Sequence, residues 1–195
     1  MPTALPGSTV PSASSVTTAP ASPDGRTALP RTGPGQRDLR SLPKAHLHLH
    51  FTGSMRLDTL TELASTSRAR LPSSLLDGDP LHVPADHRGW FRFQRAYDTA
   101  RHLVDSEEVM RRLVLEAALD DAAEGSRRLE MQVDPTSYAP FVGGITPALE
   151  IILDAAAQAT ALTGIEVAII VAASRIRHPL DARTLARLAA RHAGG

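Results

Sequence analysis

Between Ala45 and Thr52 apolar and polar residues alternate without exception. Ala45, Leu47, Leu49 and Phe51 fall on one face, and His46, His48, His50 and Thr52 on the other. A period of two predicts a strand. Leu57, Leu60, Leu63 and Ala64 then recur at helical spacing, with Thr59 and Glu62 placed as a capping box. A loop rich in Pro, Asp, Gly and His is expected over 71–89. Trp90, Phe91, Phe93 and Tyr97 open a second helix that runs to about Val104. The segment 107–124 reads as a helix, with Val109, Leu113, Val114, Ala117 and Ala118 on one face and Gly125 just past its end. Leu129, Met131 and Val133 alternate with Glu130, Gln132 and Asp134, which predicts a second strand. Thr146-Pro147 reads as the cap and first turn of another helix, closed by Gly164. Glu166 to Ala173 is a nearly continuous apolar run, expected to be a third strand buried on both faces. Leu180 to Arg191 forms a last amphipathic pattern.

The order is β-α-β-α-β-α, which implies parallel strands joined by crossovers. An open doubly wound sheet and a (β/α)8 barrel both answer that description. Thr52-Gly53-Ser54 is neither a dinucleotide fingerprint nor a phosphate loop. The chemistry-bearing residues lie on the strand itself, as in barrels. The fold class read from the sequence is therefore α/β: about three units, the N-terminal part of a (β/α)8 barrel. Residues 1–37 differ in kind. They hold seven of the fifteen prolines and only four charged side chains, so a disordered extension is expected there, with the folded part over 38–195.

Composition narrows the function. Lys plus Arg equals Asp plus Glu at 21 each, so no basic excess marks a nucleic-acid binder. No stretch reads as the ~18–20 apolar residues needed to cross a membrane, and no signal peptide is evident. The chain has no cysteine, so any metal falls to His, Asp or Glu. A cytoplasmic protein is the expectation. The sequence leaves its oligomeric state open.

His46-Leu47-His48-Leu49-His50 is the main chemical signal. Strand period puts three imidazoles on one face at intervals of about 6.6–6.8 Å, and neutral imidazole is a good zinc ligand. The same residues carry a resemblance. Leu42-Pro43-Lys44-Ala45-His46-Leu47-His48-Leu49-His50-Phe51-Thr52-Gly53-Ser54-Met55-Arg56, followed by Leu60 to Ala64, resembles the opening of the adenosine deaminase family within the amidohydrolase superfamily. The resemblance implies that His48 and His50 are zinc ligands. It places His46 deeper in the barrel lumen, where the family usually has Glu, and does not make it a ligand. Phe93 and Tyr97 match an aromatic pair on the helix over the substrate pocket. Leu129 to Pro135 and Val167 to His178 are similar to the family's second strand and its third strand with the loop beyond.

Two positions depart from the family pattern. Thr52 stands where an acid usually contacts the sugar, at the expected rim of the pocket, and Gln132 stands where Arg is usual. Both imply a substrate altered at the sugar end. The implied activity is hydrolytic deamination of adenosine or a related 6-aminopurine nucleoside such as aminodeoxyfutalosine, with Zn2+ as cofactor and a small-molecule nucleoside as partner. The family's remaining ligands and its acid lie on later strands. No catalytic residue is therefore expected within this chain, which reads as truncated and inactive alone. Polymerase-and-histidinol-phosphatase-type phosphoesterases also open with H-x-H on a first barrel strand and form the alternative, as does a non-catalytic truncated product. The closing His192-Ala193-Gly194-Gly195 reads as a helix end rather than a catalytic motif. His82, His87, His102 and His178 read as loop or surface residues.

Overall fold

The structure is a computed structural model that describes residues 41–72 and 87–193. The expected extension over 1–37, most of the expected loop over 71–89, His82, and the two terminal glycines lie outside the described residues.

Three strands form one parallel sheet: β1 (Lys44–His50), β2 (Ser126–Val133) and β3 (Glu166–Val171), in the order β1-β2-β3. Each strand lies beside its predecessor, with none of the order reversal that defines a doubly wound sheet. The chain folds as part of a (β/α)8 barrel. Between β1 and β2 lie a 3-10 turn (Thr52–Ser54), α1 (Leu57–Ser67), α2 (His87–His102) and α3 (Glu107–Ala123). A second 3-10 turn (Pro135–Ser137), α4 (Ala139–Val142) and α5 (Ile145–Thr163) join β2 to β3, and α6 (Pro179–His192) follows.

One side of the sheet is packed by helices. Leu129, Met131 and Val133 of β2 are buried against Met110, Leu113, Val114 and Ala117 of α3 and Ala148, Ile152, Ala155 and Ala156 of α5. Leu185 and Leu188 of α6 pack on Leu149 of α5, with Ile169 and Val171 of β3 alongside. Burial of this kind stabilises by about 1.5–3 kcal/mol per large aliphatic side chain. The helix α5 qualifies by length and composition to cross a membrane, which corrects the sequence reading. Here its apolar stripe is spent on the core.

Several ends differ from expectation for local reasons. Thr59 and Glu62 do not cap α1, which starts two residues before Thr59 with Arg56 in extended backbone ahead of it. Instead the Thr59 hydroxyl donates to the buried Glu116 carboxylate (2.7 Å to Oε2), and Arg112 bonds both Glu116 and Glu62 at 2.8 Å. Arg56 grips Asp120 through two nitrogens, at 2.6 and 3.0 Å. These contacts clamp α1 to α3. Ser106 caps α3 by accepting from the Val109 amide. Gly144, not Thr146, precedes α5, while Gly164 closes it at φ +75, as expected. The third strand is not buried on both faces: Ile170 is 36% exposed, because nothing among the described residues covers that face or the far edge.

Candidate functional site

The alternation read along β1 breaks in the middle. His46 pairs with Leu129 and Leu49 with Met131, so three steps on β1 match two on β2; a shift of the opposite sense, one step on β1 against two on β2, lies between Lys44 and Ala45. One extra residue is a β-bulge, and its mark is His48 at φ +68, a left-handed backbone rarely taken by a side chain other than glycine. The bulge divides the three histidines. His46 leaves the lumen and turns to the helix side, where its Nδ1 bonds Asp121 Oδ1 of α3 at 2.9 Å. His48 and His50 stay together, ring centroids 5.1 Å apart. The expected face of three imidazoles, and the lumen position of His46, are corrected accordingly. Leu47, expected in the apolar face, is 59% exposed at the sheet edge.

Above the bulge the strand is held firmly. Phe51 is buried to 1% exposure, its amide donates to the Gln132 carbonyl at 2.9 Å, and its ring meets Tyr138 edge-on. Thr52 is buried as well and does not stand at the pocket rim. Its hydroxyl shares a 2.6 Å hydrogen bond with the Tyr138 hydroxyl. Burial raises the Tyr138 phenol well above its ordinary range, opposed by the Thr52 bond. Burial raises Tyr97 in the same direction, again opposed by Thr52.

A cavity of about 230 Å³ opens beside His50. Its walls include Tyr97 and Arg101 from α2, Gln132 and Asp134 from the end of β2, and Ser174 beyond β3. These are the carboxyl ends of the strands, where a barrel gathers its chemistry. The Tyr97 ring stands edge-on to His50 at 6.5 Å. Phe93 lies 6.2 Å from Tyr97 on the outward side and is 40% exposed, so it backs Tyr97 without lining the cavity. Asp134 is engaged by the Thr136 amide and hydroxyl.

His102 ends α2 and bonds the Asp98 carbonyl; His178 caps α6 by accepting from the Leu180 amide. His192 lies in the last turn of α6. Tyr138 and Asp121 drew no attention in the sequence. The signal for Tyr138 was its place just past the end of β2, where barrel loops carry function.

Two imidazoles that converge from one strand fit a single divalent ion with nitrogen ligands at roughly 2.0–2.1 Å. Among the described residues no group of three or more His, Asp or Glu side chains surrounds a common point.

The sequence profile of the family described as Adenosine deaminase matches residues 43–195. The "Putative adenosine/adenine deaminase" of Streptomyces virginiae is 60% identical over 158 residues, covering 80% of this chain and 47% of the relative. Its namesake from Streptomyces coelicolor is 57% identical over 162 residues, with the same coverage. Among solved structures, an amidohydrolase from Burkholderia ambifaria with bound zinc superposes with a TM-score of 0.65 at 23% identity, covering 87% of this chain and 46% of that one. The adenine deaminase of Arthrobacter aurescens gives a TM-score of 0.62 at 21% identity, over 77% and 46%. The chain belongs to the adenosine deaminase family, and family membership displaces the phosphoesterase alternative. It spans about half the length of the curated relatives it matches.

Proposed function

We propose that this chain contributes the first metal-binding strand and one aromatic wall of a zinc-dependent hydrolytic deaminase. Its substrate is adenosine or a related 6-aminopurine nucleoside. Water adds at the carbon bearing the amino group, ammonia leaves, and an inosine-type product remains. The observation that carries this reading is the convergence of His48 on His50, which borders the cavity, with 5.1 Å between rings. Zinc, when bound, lowers the pKa of a water toward 7 and so supplies hydroxide at neutral pH.

The chain's own residues bind and orient. His48 and His50 hold the ion, and Tyr97 offers its ring to the purine beside His50. Phe93 supports Tyr97 from outside. Thr52 acts on substrate choice through the tyrosine wall, since its hydroxyl is committed to Tyr138. No side chain described here stands as the acid that must protonate the ring, and the isolated chain is proposed to be inactive.

The test is metal analysis of the purified chain. His48→Ala or His50→Ala should each lower zinc affinity by roughly tenfold or more, as loss of one of few ligands does. Equal zinc binding in the wild type and both variants would remove this strand from the metal site.

A further inference from the structure

Four features converge below the bulge. His46 and Asp121 bond at 2.9 Å across the β1–α3 contact. The Asp121 side chain is only 13% exposed, and its Oδ2 is buried without a hydrogen-bond partner. The extra residue of the bulge falls immediately after His46. The backbone at His48 sits at φ +68, which costs about 1–3 kcal/mol and persists only where its surroundings over-determine it.

A strand that slips by one residue exchanges its faces. For β1 that would carry His48 and His50 to the helix side. Two anchors oppose the slip. Phe51 holds the strand above the bulge, through its burial and its amide bond to Gln132. Below the bulge the side-chain ties to the neighbouring helix are His46 on Asp121, within the helix, and Lys44, whose Nζ donates to the Glu124 carbonyl at its end (2.7 Å). The outer edge of β1 gives no help, because no strand pairs with it among the described residues.

We infer that His46 is a positioning residue: its bond to Asp121 fixes the register of β1 and so holds His48 and His50 together on the lumen side. The inference rests on the metal reading of those two histidines given above. It assigns His46 and Asp121 as one unit. An imidazole N–H facing Asp121 satisfies one of its two carboxylate oxygens, Oδ1. A glutamate at position 46 would set two carboxylates against each other in a partly buried place, which is unfavourable in a medium of reduced dielectric. His46→Glu is thus more damaging than His46→Gln, although a glutamate is the residue that the resemblance leads one to expect there.

The experiment uses the full 195-residue chain with His46→Leu, His46→Gln, His46→Glu, and His46→Glu combined with Asp121→Asn. Zinc affinity is measured by competition with a chromophoric chelator. The nuclear Overhauser contact between the His48 and His50 rings is recorded without metal. Chemical unfolding is followed in parallel. His46→Leu and His46→Glu should weaken zinc by about tenfold or more, the usual range for groups that orient ligands. They should also lose the ring contact while the chain remains folded. His46→Gln, which keeps a donor, should stay within about threefold of wild type, as one retained hydrogen bond would give. The double variant should recover most of what His46→Glu loses.

Unchanged affinity and ring contact across the set, with stability alone lowered, would overturn the proposal. A wild-type chain that binds no zinc, yet loses the ring contact only in His46→Leu and His46→Glu, would sink the metal reading and leave the positioning role standing.

Discussion

Thr52 shows how one side chain connects packing to recognition. Its hydroxyl and that of Tyr138 form a buried pair at 2.6 Å. Tyr138→Phe leaves the Thr52 hydroxyl buried without that partner, a loss of about 1–3 kcal/mol measurable by denaturant unfolding. Tyr97 and Tyr138 are the chain's two tyrosines, so its phenolate absorbance reads these sites alone. Both phenols are raised by burial in the folded state, above the ordinary value near 10. The unfolded chain therefore loses these protons first. The stabilisation is fully present below about pH 10 and declines as pH rises beyond it. Phenolate absorbance should accordingly grow in step with alkaline unfolding. A titration of both phenols near pH 10 in a chain that is still folded would contradict the buried placement of Tyr138. At this scale the sequence made the ligand pair legible, because His-x-His on a strand is a short-range pattern. It hid the partners of Thr52 and His46, which lie 86 and 75 residues away.

The elements were legible wherever periodicity alone decides them. β1, β2, β3 and the helices α1, α2, α3, α5 and α6 stand where alternation and helical spacing put them, within a few residues at their ends, whereas the four-residue α4 has no periodicity to announce it. What failed were features that depend on a neighbour. The bulge in β1 exists only in its pairing with β2, and a strict alternation along the chain carries no hint of it. The Thr59–Glu62 spacing resembled a cap, yet both side chains serve a clamp to α3 through Glu116 and Arg112. That clamp yields a test at its own scale. Thr59→Val removes the hydroxyl that donates to the carboxylate of Glu116, a residue that is 8% exposed. The expected loss is about 1–3 kcal/mol in chemical unfolding, the range for a buried acceptor deprived of its donor: Arg112 still holds Oε1, but Oε2 loses the Thr59 bond. Capping alone would predict a different signature: loss of helix content confined to α1, with the global transition unmoved. A midpoint identical to wild type would show that α1 and α3 are held by apolar contacts such as Met55 and Leu63 instead.

The molecule as a whole presents three strands with two unpaired edges among the described residues. On β3, Ile170 faces the side shared with Gln132 and His50, and it is exposed there. The strand Glu166–Val171 is apolar and carries neither Pro nor Gly, a composition that invites pairing with other chains when its edge is open. The candidate site is open in the same direction. His48 and His50 supply two ligands, whereas a catalytic zinc typically keeps three protein ligands and one free position. Both arguments lead to one expectation. The purified 195-residue chain should release no ammonia from adenosine, adenine or aminodeoxyfutalosine above the uncatalysed background. It should also sediment increasingly as oligomers when its concentration is raised. Joined to the remaining half of the Streptomyces virginiae relative, with which it shares 60% identity over 158 residues, it should gain ammonia release and lose the concentration dependence. His48→Ala in that joined protein should abolish the gained activity while leaving it monodisperse. Deamination by the 195-residue chain alone, as a monomer, would mean that the three units hold a complete site whose acid and remaining ligands have been overlooked.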